Sequence, residues 1–225
     1  NVLASSTVTP SESQARVLSA NATTRIRFVP NPNFYGTATL TMRAWDRFDG
    51  AGNGVVTDIT FWGTGGSSPY SSQTGTITIT VTPVNDPPTI TAPSSISVVE
   101  DGAHTFSGPG GITIADIDAG SGNLRVALSV SHGTLTLGNT TGISIISGSN
   151  GSASMTVEGT LSNLNSALNG LVYTPNPNYS GNDTLSIQVN DLGNTGAPGP
   201  LTADKNIAIT VTAVNDAPIL SGANN

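Results

Sequence analysis

Residues 173–191 read YTPNPNYSGNDTLSIQVND, and residues 28–46 read FVPNPNFYGTATLTMRAWD. Both open on an aromatic residue and a Pro-Asn-Pro-Asn turn, pass through a glycine, and run out through alternating apolar and polar residues to an aspartate. A second shared block follows each: ITITVTPVNDPPTI at 77–90 and IAITVTAVNDAPIL at 207–220. Pro30 aligns with Pro175 and Asp46 with Asp191 at one offset, while Asp86 aligns with Asp216 at a shorter one. The difference is an insertion in the first copy, between Asp46 and Ile77, that carries Trp62 and the loop GTGGSSPYSS. Self-similarity on this scale is the signature of tandem modules. It divides the chain into the C-terminal part of a truncated repeat (1–84), a linker (85–88), one complete repeat (89–214) and the start of a further linker (215–225).

The repeated blocks have the period of strands. Leu185, Ile187 and Val189 alternate with Ser186, Gln188 and Asn190, and Ile77, Ile79 and Val81 alternate with threonines. Period 2 places one set on a buried face and the other in water. Further strands are expected near 95–99, 112–115, 124–130, 134–137, 143–147 and 153–157, with turns at His132-Gly133 and Asn150-Gly151. Short strands separated by frequent turns predict an all-β sandwich. Residues 160–169 break the pattern: Leu161, Leu164 and Leu168 have helical spacing, Thr160 is an N-cap residue and Gly170 a C-terminal stop. A short helix plugging one end of the sandwich is expected there. Trp45 lies in phase with Arg43 and Thr41 and out of phase with Met42 and Ala44, so the strand must break its alternation on one face or the other.

Composition narrows the function classes. The 225 residues contain no cysteine, which removes disulfides, thiol nucleophiles and Cys-ligated zinc. Seven basic against fourteen acidic residues, a net charge of −7, is the wrong sign for nucleic acid and the right one for cations. No apolar run is long enough to span a bilayer, so no membrane insertion is expected. The two histidines, His104 and His132, lie in different segments without carboxylate partners at ligand spacing, and no constellation supports catalysis.

The phrase YTPNPNYSGNDTLSIQVND, followed by a strand and VNDAP, resembles the cadherin-like repeats of large secreted bacterial surface proteins and adhesins. That resemblance implies tandem Ig-like, cadherin-like Greek-key sandwiches, an extracellular or cell-surface location, and Ca²⁺ at the joints between neighbouring repeats of the same chain. Cadherin joints take calcium from a glutamate after the first strand, an Asp-x-Asp turn, a later strand-end aspartate and an Asx linker before proline. The matching positions are Glu100, then Asp116 and Asp118, then Asp191, and the linkers Asn85–Asp86 and Asn215–Asp216. Asp46 and Asp101 are weaker members, since a lone aspartate at a strand end is an ordinary turn former. The linker lacks the upstream aspartate of a full cadherin linker, which implies fewer than three ions.

Topology supplies a physical reason for these residues to meet. A sandwich in a linear array takes its chain in at one end and lets it out at the other. The penultimate strand then returns to the incoming end, bringing Asp191 to Asn85, Asp86, Asp116 and Asp118. Glu100 should lie at the opposite end, beside Asn215 and Asp216. Hard oxygen ligands clustered in this way suit Ca²⁺, which takes six to eight of them. The expected function is a non-enzymatic structural or adhesive repeat whose calcium-stiffened joints hold a binding tip away from the cell. Two alternatives stand beside it: a module binding host or biofilm glycan or protein through residues 50–73 or 191–204, and an accessory domain of an exported hydrolase.

Overall fold

The computed structural model describes residues 15–19 and 25–217. Part of the expected first repeat (1–14 and 20–24) and the end of the last linker (218–225) lie outside the described residues. The chain forms two compact units, Asn1–Thr82 and Pro83–Asn225.

In the first unit, β1 (Ala15–Arg16) pairs with β3 (Val56–Thr57), and β2 (Gly36–Trp45) pairs with β4 (Tyr70–Val81), both antiparallel. The β2–β4 register slips between Arg43 and Trp45. The extra residues of this irregularity lie in β4, where the step from Thr74 to Tyr70 is longer than the step from Arg43 to Trp45 in β2. The phase conflict falls on the other face: Met42 is left exposed, while Trp45 packs with Ala51 against Val17, Ile59 and Tyr70. Asp49 caps this cluster, accepting from Trp45 Nε1 at 2.9 Å and from the Tyr70 hydroxyl. Burial and the Asp49 carboxylate push the Tyr70 phenol up to about 12.

The second unit is the sandwich. Its strands are β5 (Thr89–Thr91), β6 (Ser95–Val99), β7 (His104–Phe106), β8 (Thr113–Ala115), β9 (Asn123–Ser129), β10 (Gly133–Thr136), β11 (Ile143–Gly148), β12 (Ser154–Thr160), β13 (Leu171–Pro175), β14 (Gly181–Asn190) and β15 (Thr202–Thr212). One sheet has the order β11-β12-β9-β14-β15-β6, the other β10-β13-β7, with β5–β8 as a separate ribbon. The chain crosses from β9 to β10, returns through β11 and β12, and crosses again by the helix α1 (Leu161–Leu168) to β13. This is an Ig-like Greek-key arrangement with one helix. All pairings are antiparallel except β15 with β6.

Leu124, Val126 and Leu128 of β9, Leu185, Ile187 and Val189 of β14, and Ile207 and Ile209 of β15 face Phe106, Leu135, Leu171 and Tyr173 across the sandwich, all essentially inaccessible. Each fully buried side chain of this size contributes about 1.5–3 kcal/mol of transfer free energy. Thr160 caps α1 by accepting from the Asn163 amide, and the helix buries Leu164, Ala167 and Leu168. Gly170 follows in the left-handed region at φ 88°, and its amide donates to Phe106 O at 2.8 Å, tying the helix end to β7.

The internal repeat is visible in the backbone. Asn33 and Asn178 take φ values of 59° and 58°, and Arg47 and Leu192 of 71° and 59°. The Phe34 amide donates to Asn31 O and the Tyr179 amide to Asn176 O, each at 3.1 Å. Burial differs sharply. Met42 and Ile77 are 37% and 47% exposed, whereas their equivalents Ile187 and Ile207 are 1% and 0%. Among the described residues of the first unit, β2 and β4 pair only with each other.

Candidate functional site

Two ladders determine what gathers at the ends of the sandwich. In the β5–β8 ribbon Thr89 pairs with Ala115. Antiparallel pairing there lays the residues before Thr89 alongside those after Ala115. The incoming segment therefore runs past the turn that begins at Asp116, and the Asp86 amide donates to Asp118 Oδ2 at 2.6 Å. Asp116 Oδ1 accepts from the amides of Asp118 at 2.8 Å and Ala119 at 3.1 Å, an Asx turn that orients the pair.

The same segment is seated against the loop after β14. Val84 bridges Ala197, and the Asn85 amide donates to Ala197 O at 3.0 Å. The Asn85 side chain, 4% exposed, donates through Nδ2 to Asp191 Oδ2 at 2.6 Å and to Gly199 O at 2.8 Å. Asp191 is 1% exposed, and its other oxygen accepts from Gly193 and Leu201 amides at 2.8 Å each. Gly196 completes this socket. It sits at φ 94°, and a Cβ there would lie 2.6 Å from Asn85 N and from Val84 C. Only glycine lets the two backbones approach so closely.

Two oxygens here are buried without a partner: Asn85 Oδ1 and Asp116 Oδ2. Buried acceptors left unpaired are rare and costly. Burial pushes the Asp116 carboxyl up, and the neighbouring charges of Asp191 and Asp118 add to that against the amide bonds that favour the anion. The fold thus brings Asn85, Asp86, Asp116, Asp118 and Asp191 to one end of the sandwich. Among the described residues, however, no three His, Cys, Asp or Glu side chains close on one point as metal ligands.

The parallel β15–β6 pairing builds the opposite end, where both strands leave together. The Glu100 amide donates to Thr212 O at 3.0 Å, and Glu100 Oε1 accepts from the Val214 amide at 2.8 Å. Glu100 is 8% exposed; Asp101, Asn215 and Asp216 are exposed beside it. Asp46, in the first unit, is exposed and accepts from the Phe48 amide at 2.9 Å in a turn of its own.

A further polar centre escaped the sequence reading. Asp183, 6% exposed, accepts from the Ser131 amide at 3.0 Å, the His132 amide at 2.9 Å, the Thr184 amide at 2.8 Å and the Tyr173 hydroxyl at 2.9 Å. Burial alone would raise its carboxyl, but these four donors outweigh burial and hold it below the usual range. The signal was present: Asp183 shares the buried phase of Leu185, Ile187 and Val189. A carboxylate in that phase has to find donors inside the protein.

Comparison with known proteins corrects the family expectation. Residues 108–196 match the family described as Protein GAMETE EXPRESSED 2 domain (GEX2), and not a bacterial cadherin-like repeat. Both copies of the VND segment lie outside the matched span. The Pro-Asn-Pro-Asn turn and the strand-end aspartates answer to turn and strand-end geometry, which unrelated sandwiches share. No curated protein matches the chain. Among solved structures, AggA, the major subunit of aggregative adherence fimbriae type I from Escherichia coli, is similar at 16% identity over 59% of this chain and 99% of that one, with a TM-score of 0.34. The PapD-like domain 7 of human CEP192 is similar at 10% identity over 60% and 92%, with a TM-score of 0.26. A structure of manganese lipoxygenase of Gaeumannomyces graminis with part of a zonadhesin of Komagataella pastoris gives 12% identity over 63% and 52%, with a TM-score of 0.27. No described helix is long and apolar enough to cross a membrane.

Proposed function

We propose that the chain is a non-enzymatic, extracellular β-sandwich module in which Ca²⁺ fastens the incoming segment 84–86 to the end of the second unit. The observation that carries this reading is the pair of partnerless buried oxygens, Asn85 Oδ1 and Asp116 Oδ2. They lie in a set whose other members, Asp86, Asp118 and Asp191, offer hard oxygens only. A divalent cation is the partner that such a set lacks, and calcium tolerates irregular oxygen coordination better than magnesium. Asp116 and Asp118 are half-exposed and can turn toward an ion, whereas Asn85 and Asp191 are fixed by burial. The ion would also relieve the repulsion that pushes the Asp116 carboxyl up. Glu100, Asn215 and Asp216 would take the equivalent role at the outgoing end, and a chain so fastened serves as a stiff scaffold.

The test is thermal unfolding in EDTA and in about 2 mM CaCl₂, a concentration above the usual affinity of extracellular calcium modules. A rise in melting temperature with calcium, absent in Asp118→Ala, supports the reading. Equal melting in both, with no calorimetric heat, removes calcium from it and leaves a sandwich closed by hydrogen bonds alone.

A second reading, a glycan- or protein-binding module, is favoured by one feature. Phe61 and Trp62 stand in the insertion of the first unit, 82% and 44% exposed, in edge contact at 5.4 Å. Exposed aromatic faces of this kind contact sugars and peptides. Binding on a glycan array that is lost in Trp62→Ala would favour it.

A further inference from the structure

The outgoing segment Ala213-Val214-Asn215-Asp216-Ala217 repeats the incoming Pro83-Val84-Asn85-Asp86-Pro87, differing only at its two ends. The incoming copy is docked. Val84 bridges Ala197, the Asn85 amide reaches Ala197 O, and its side chain reaches Asp191 and Gly199 O over a floor made by Gly196. The outgoing copy uses none of this: Asn215 is exposed where Asn85 is 4% exposed, and Asp216 lies open beside Glu100. Glu100 Oε1 holds the Val214 amide and so presents the segment from the strand end.

We infer that residues 213–217 are a docking plug for the Asp191–Gly196–Gly199 socket of another domain of this build, so that such domains join head to tail. Every contact made by the docked copy comes from the backbone, from Asn85, or from the Asp86 amide, and the outgoing copy carries all of those groups. Neither Pro83 nor Pro87 donates a hydrogen bond, because proline has no N–H, so alanine at those positions removes none. The docking requires no cation and stands whether or not calcium binds.

Two full-chain experiments test this. In the first, Val84→Gly, Asn85→Gly and Asp86→Gly together empty the socket, and the isotopically labelled variant is titrated with a peptide of residues 209–218 into the millimolar range, in EDTA. The expected result is saturable NMR shifts confined to the amides of residues 116–119 and 191–201. The same peptide carrying Asn215→Ala should cause none, and neither should the normal peptide added to the wild-type chain, whose socket is filled. Absence of shifts, or shifts equal for both peptides, overturns the inference. The second experiment guards against misfolding of that variant. Pro83→Ala with Pro87→Ala gives the incoming segment the outgoing sequence at 83–87. Its Asn85 amide should exchange with deuterium as slowly as in the wild type, and far more slowly than in Asn85→Ala. Exchange as fast as in Asn85→Ala would show that the outgoing sequence is not a competent plug. Because both experiments run in EDTA, a failure of the calcium reading leaves them unaffected.

Discussion

Asn85 and Asp191 stand 106 residues apart in sequence and 2.6 Å apart in space, an amide donating to a carboxylate that is 99% shielded from water. The pair fixes where the chain enters the second unit. Asp191 is held by two backbone amides on one oxygen, and among the described residues Asn85 is the side chain that satisfies the other. Asn85→Ala should therefore destabilise this unit by about 1–3 kcal/mol, the range for leaving a buried charged acceptor short of a donor. Urea unfolding monitored within the second unit measures it. A change below about 0.5 kcal/mol, typical of a surface substitution, would mean that the contact contributes little.

Gly196→Ala separates docking from core stability. Its Cβ would meet the backbone of Val84 and Asn85 at 2.6 Å, while the sandwich core lies elsewhere. The incoming segment should be expelled, with fast amide exchange at Asn85 and near-native protection in β9, β14 and β15. Loss of protection throughout those strands would show that the loop supports the core directly.

Asp183 should make stability fall in acid. Its folded carboxyl titrates below the unfolded value because four donors favour the anion. Its stabilisation is complete above the unfolded pKa of about 4 and is lost as pH falls through the depressed folded value. Asp183→Asn turns an NH₂ toward donors and should cost about 3 kcal/mol at pH 7. The gap between wild type and variant in urea midpoints should narrow steadily as pH falls below about 4, the unfolded value. A gap independent of pH would assign the cost to geometry and not to charge.

How much of this was legible in sequence follows from which interactions are local. Alternation at Leu185, Ile187 and Val189, the Thr160 cap and Gly170 are local signals, and the strands and helix stand where those residues place them. The phase of β2 was legible only as a conflict between Trp45 and Met42, and the fold resolves it by burying Trp45 and leaving Met42 exposed. The positions of Asp116, Asp118 and Glu100 follow from strand direction. The Gly196–Gly199 loop was not legible, because its role depends on a backbone more than a hundred residues upstream. The family was misjudged for a related reason: turn residues report the geometry of a sandwich end, and several families share that geometry.

Asp116→Asn divides charge repulsion from calcium binding. Asp116 Oδ1 already accepts two amides, and Oδ2, which has no partner, would become an NH₂ facing the field of Asp191 and Asp118. Because burial and those charges raise the folded pKa, the ionised group works against folding at neutral pH, and the penalty disappears as pH falls through the raised value. The neutral amide removes it at every pH. In EDTA at pH 7 the variant should melt above the wild type, and the advantage should vanish at low pH. In calcium the order should reverse, because the variant has lost a ligand. A variant that melts lower than wild type in EDTA would show that the Asp116 carboxylate is stabilised by a partner, and one that still gains fully from calcium would move the ion away from Asp116.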